Sequence, residues 1–137
     1  MLQRTAQFLI PSLPVSVNNG VRYNTRSGHS YKTKAYKEWE DFFTHYDIQQ
    51  LFYSDWYRFD LLVGMNLFFK NGKIRNRDID DMLKYSIDCS LARVRDEQGE
   101  IDDRRIIGGT FYKTQSDKDF TKIVISPIDI NVVEDII

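Results

Sequence analysis

The stretch RFDLLVGMNLFFKNGKIRNRDIDDMLKYSIDCSLARV, Arg58 to Val94, changes its apolar period once along its length. In its first third, Phe59, Leu61, Val63, Met65, Leu67 and Phe69 fall at every second position, the alternation of a strand with one buried face. In its last third, Ile79, Leu83, Ile87, Leu91 and Val94 recur at helical spacing, which predicts a helix from about Asp78 to Val94. Asp78 suits the N-cap, and Asp80 and Asp81 fall in the first turn. Between strand and helix runs KNGKIRNR, with four basic residues and no acidic one.

The flanks extend this into an α+β chain. Upstream, Ala6, Phe8 and Ile10 alternate with polar neighbours as a short strand ending at Pro11. PSLPVSVNNGVRYNTRSGHS (Pro11 to Ser30) reads as a long loop, of the kind that is usually functional or mobile. Tyr36, Trp39, Phe43 and Tyr46 then predict an amphipathic helix from about Thr33 to Ile48. Downstream, a charged loop (Arg95 to Asp103) leads into RRIIGGTFYKT, a strand with a glycine-marked bulge or bend. FTKIVISPI reads as a last strand, paired with the one before it as a hairpin across QSDKD. The expected order is β-α-β-α-β-β, a mixed sheet with two main helices in one domain over residues 1–137. Residues 128–137 are expected to be a C-terminal extension.

Composition narrows the class. At 137 residues, 42% of them apolar, the chain can bury a core as one domain. No apolar run approaches the ~20 residues that cross a bilayer, and the proline-broken N-terminus does not read as a signal peptide. One cysteine, Cys89, excludes an internal disulfide framework and fits a reducing cytoplasm. With only His29 and His45 beside it, a structural zinc site is not expected, so a bound metal would be held by oxygen. A net charge of −1 conceals segregation: Asn18 to Lys37 holds five Lys or Arg and no Asp or Glu. Acidic residues gather instead in Asp78 to Asp88 and in DEQGEIDD, Asp96 to Asp103. Carboxylates that hold a divalent cation beside cations that hold a polyanion would give this pattern.

Two readings of DIDD stand side by side. Aspartates at a helix start are favourable against the helix dipole, by roughly 0.3–1 kcal/mol per charge, and need no ligand. An EF-hand loop is excluded, because Met82 and Leu83 stand where a ligand and a glycine belong. The alternative is a magnesium site. Asp78, Asp80 and Asp103 supply oxygen, and Lys84, one turn after Asp80 and one before Asp88, is placed to orient water or neutralise developing charge. Arg75 and Arg77 directly precede Asp78, as a structural cap would not require, and with Lys73 they are expected to meet DNA.

LPVSVNN (Leu13 to Asn19), RDIDDMLK (Arg77 to Lys84), Asp88 and IDDRRI (Ile101 to Ile106) together resemble the RusA-type Holliday-junction resolvases of bacteria and phages. The resemblance spans about Phe8 to Ile125, in family order. It implies a magnesium-dependent, homodimeric endonuclease that nicks branched DNA in recombination and repair, with no small-molecule cofactor. It assigns Asp78, Asp80 and Asp103 to the metal, Lys84 to catalysis, Arg77 to phosphate, and Asn18 to a DNA-facing loop. The alternatives are a nuclease for flaps or forks, or an inert module that binds branched DNA. One position departs from the pattern: Asp81 stands where the family has asparagine. Beside Asp80 it is expected to be a surplus charge, destabilising without a cation.

Overall fold

A computed structural model describes residues 2–74 and 77–137. At its centre is β5 (Tyr57–Met65), whose alternate residues Tyr57, Phe59, Leu61, Val63 and Met65 are buried, as the sequence period requires. The strand stops at Met65. Leu67 is half-buried, whereas Phe68 and Phe69 are exposed in a turn closed by a bridge between Phe68 and Ile74. That turn leads into α3 (Ile79–Leu91), the helix predicted from the second period.

β5 is flanked on both sides. On one side it pairs antiparallel with β10 (Phe120–Pro127), and β10 pairs antiparallel with β1 (Ala6–Ile10). Its other edge runs parallel to β8 (Ile106–Gly108) and then β9 (Phe111–Gln115). The sheet is therefore mixed and the class α+β. The expected hairpin between the last two strands does not form. The QSDKD connection instead steps across the end of β5, where the Ser116 amide donates to the Met65 carbonyl at 3.0 Å. Of the available strands, β5 has the longest run of inward apolar positions, so burying both its edges outweighs the short local closure. Gly109, at φ 154°, makes the bend between β8 and β9, and a side chain there would run into the Phe59 backbone.

α2 (Lys34–Phe43) and α3 pack their apolar faces into the same core, joined by Val15, Leu51, Val94 and Ile101. Thr33 caps α2 by accepting from the Tyr36 amide. The helix ends at Phe43, short of the predicted Ile48. Tyr46 lies beyond it and ties back to β1 through its hydroxyl, which bonds both the N–H and the carbonyl of Leu9. Trp39 donates its indole N–H to the Tyr85 carbonyl at 3.2 Å, locking α2 to α3. The buried face of α3 is shifted from the expected isoleucine–leucine line. Met82, Tyr85, Ser86, Cys89 and Ser90 are buried with Leu91, while Ile79, Leu83 and Ile87 are half-buried, Leu83 and Ile87 packing at the edge of the core. Ser86 and Ser90 are small enough for close packing, and they satisfy their hydroxyls on the Met82 and Ser86 carbonyls one turn back.

Several predicted loops are ordered. The long N-terminal loop contains α1 (Val17–Gly20) and an antiparallel hairpin of β2 (Val21–Asn24) and β3 (His29–Lys32). β4 (Ile48–Leu51) was not expected and pairs parallel with β6 (Val94–Asp96), so Val94 belongs to a strand and not to α3. β6 turns tightly into β7 (Gly99–Glu100). A 3-10 turn, Asp103–Arg105, follows, and the tail forms the short helix α4 (Ile130–Glu134), capped by Asp129 and set against β8.

Candidate functional site

The start of α3 and the segment before β2 face each other across a polar cleft of about 650 Å³. Asn18 and Asn19 line one wall, and Asp78, Asp80 and Lys84 line the other. Asp78 has the extended backbone of an N-cap, but its side chain makes no capping hydrogen bond. The Asp80 carboxylate accepts from the Asp81 amide at 3.0 Å. Lys84 ion-pairs with Asp88 at 3.5 Å and lies over the Tyr85 ring, so of the Asp80–Lys84–Asp88 series only the second contact forms among the described residues.

Asp81 is a fastener between the walls. Its carboxylate accepts from the Ser16 hydroxyl at 2.5 Å and from Arg77 Nε at 3.2 Å. Ser16 in turn caps α1 through the Asn18 amide. Arg77 also donates to the Pro14 carbonyl at 2.7 Å, and its own carbonyl accepts from Lys113 of β9 at 2.8 Å. The expectation that Asp81 is an unrelieved surplus charge is corrected, because both of its partners are drawn from outside α3. Arg77, expected at phosphate, has a half-buried guanidinium already engaged at two points.

Asp103 is exposed in the 3-10 turn, which packs against α3, but it does not line the cleft. Its neighbour Asp102 caps that turn and grips Arg104 with both oxygens, which holds the Asp102 carboxyl far below the ordinary carboxylate range. Among the described residues, no three His, Cys, Asp or Glu side chains are grouped as a ready-made metal set. Lys73 sits in the exposed turn after β5, where its carbonyl accepts from the Phe69 amide. Arg75 lies outside the described residues.

Sequence reasoning missed the anchor that fixes the 3-10 turn. Asp96, buried on β6, accepts from the Tyr57 hydroxyl and from Arg105, each at 3.0 Å. Arg105 also donates to the carbonyls of Ser54 and Asp55 and lies over the Tyr53 and Tyr57 rings. The one available signal was Asp96 at an inward alternate position after Val94, and it was lost within an acidic cluster. Neither the protein-family models nor the curated proteins contain a match to this chain.

Proposed function

We propose that the chain is a magnesium-dependent, structure-selective endodeoxyribonuclease that nicks four-way DNA junctions. The observation that carries this reading is Asp78, a helix-start aspartate that forgoes its cap and lies with Asp80, Asn18 and Lys84 around one polar cleft. A cap-only role would use that side chain on the first-turn amides.

Asp78 and Asp80 would offer a hard cation carboxylate oxygens from one wall, with Asp103, which lies outside the cleft lining in the 3-10 turn packed on α3, as the third ligand. When bound, magnesium would lower the pKa of a water and stabilise charge on a phosphate. Lys84 would neutralise charge developing on the phosphate, giving up its contact with Asp88 to do so. Asn18 would bond the sugar-phosphate backbone from the opposite wall. Arg77 would act chiefly by holding the two walls together, with Lys73 and Arg75 meeting flanking phosphates. Two equivalent strands at a junction suit a twofold dimer with two such clefts.

A second reading, an inert module that binds branched DNA, draws on the position of Asp103 outside the cleft lining. Cleavage of labelled four-way junctions, flaps and forks, with and without magnesium, separates the readings. Asp78→Asn, Asp80→Asn and Asp103→Asn should each abolish magnesium-dependent nicking and leave junction binding intact. All three residues are exposed, so the fold should change by less than about 0.5 kcal/mol. Absence of cleavage on every substrate, with tight junction binding, would favour the inert module.

A further inference from the structure

We propose that the β2–β3 hairpin is a nucleic-acid arm, gripping with one face the phosphate backbone of a duplex that runs out of the cleft. This rests on the nuclease reading for the cleft, but its own observations are separate.

All eight strand residues of the hairpin are exposed. A two-stranded ribbon without a packed face is marginal in water, so its persistence needs an anchor and its exposure needs a use. The anchor is at the base. Thr33 donates its amide to the Gly20 carbonyl at 3.0 Å and its hydroxyl to the Asn19 carbonyl at 2.6 Å. Gly20 sits so close to the Tyr85 ring that a side chain there would collide with it. The arm therefore springs from a fixed point, directly after the short helix that places Asn18 and Asn19 in the cleft.

The register sorts the side chains. Arg22 is opposite Tyr31 and Asn24 opposite His29, so these four share one face. Val21, Tyr23, Ser30 and Lys32 share the other, and there Lys32 is committed to Glu40 at 2.8 Å and to the Tyr36 ring. On the first face, Arg22 has only a 3.3 Å contact with Asn19, and the Arg26 guanidinium in the turn has no partner among the described residues. No acidic residue lies anywhere from Asn18 to Lys37. Same-face residues of one strand lie about 7 Å apart, so Arg22 and Asn24 on one strand and Tyr31 and His29 on the other can meet more than one phosphate of a backbone. Guanidinium forks and a tyrosine hydroxyl suit phosphate oxygens. An anionic membrane would call for Leu, Phe or Trp on such an element, and Val21 is its one aliphatic residue.

Binding of a fluorescent duplex and a four-way junction, followed across a salt series in EDTA buffer, tests the arm without involving cleavage. The double substitution Arg22→Ala with Arg26→Ala should flatten the log-log salt slope by about 0.9 per arginine and weaken affinity roughly tenfold or more. Its melting temperature should match the parent, and Arg22→Lys with Arg26→Lys should restore the slope. An unchanged slope with intact nucleic-acid binding overturns the arm and leaves the cleft reading standing. Binding of anionic vesicles that depends on the two arginines, with nucleic-acid binding independent of them, overturns it as well. A flattened slope in a protein that cuts no substrate supports the arm while the nuclease reading falls.

Discussion

Asp81 brings a third carboxylate to the start of α3, after the N-cap Asp78 and Asp80, and its side chain keeps only 21% of its surface exposed. Such a position is tolerable because the charge is answered twice, by Ser16 and by Arg77. Asp81→Asn preserves an oxygen acceptor for the Ser16 hydroxyl but removes the charge facing Arg77. We expect a loss of about 0.5–1 kcal/mol in urea unfolding. Asp81→Ala also leaves Ser16 without its partner and should cost about 1–3 kcal/mol. Ser16→Ala removes both the α1 cap and the clasp, at about 1 kcal/mol or more. The Ser16/Asp81 double-mutant cycle should show coupling of at least about 0.5 kcal/mol. Strict additivity would mean that the clasp holds nothing. The residue types were legible in the sequence but this role was not, because the two partners stand 65 positions apart and no local period links them.

At the scale of elements, the alternation in β5 and the aromatic spacing in α2 were readable because each depends on one face meeting one core. Pairing was not readable in the same way. The last two strands look like neighbours along the chain, but both take their partner from β5, and only the burial of β5 decides that. The glycine bend between β8 and β9 was visible, and its reason is now specific. Gly109→Ala should cost more than about 2 kcal/mol, since a positive φ and a collision with the Phe59 backbone act together. Asp96 gives the complementary test. Asp96→Ala leaves Arg105 without its buried carboxylate and should destabilise by about 3–5 kcal/mol, whereas Tyr57→Phe should cost about 1–2 kcal/mol. Because this network holds the 3-10 turn, Asp96→Ala should also raise hydrogen exchange at Asp103 to Arg105. Unchanged exchange there would detach the turn from β6.

Taken as a whole, the molecule should have a stability plateau bounded by different groups at its acid and alkaline ends. Burial alone would raise Asp60, but Arg58 and Thr110 outweigh it and its carboxyl is held below the ordinary value. Asp102 is also held low by Arg104, but that pair is exposed and screened by solvent, so it adds little to stability. Groups lowered by folding add stability above their unfolded value and lose it as pH falls through the folded one, so stability should decline below about pH 4. At the alkaline end the sign reverses. Cys89 is buried beneath α2, 3.7 Å from the Tyr36 hydroxyl, and burial pushes its thiol up to about 11. The unfolded chain ionises this thiol first, near pH 8.5, so stability should fall from there toward the folded value. Tyr36 and Tyr57, both raised chiefly by burial, add to the decline only above about pH 10. The interval between about pH 8.5 and 10 therefore isolates Cys89. Cys89→Ala should flatten urea-unfolding stability across that interval, even though the lost packing lowers the plateau by about 1 kcal/mol. A parental slope retained in Cys89→Ala, or a native thiol that reacts with disulfide reagents at pH 8 as fast as a free one, would place the alkaline limit elsewhere.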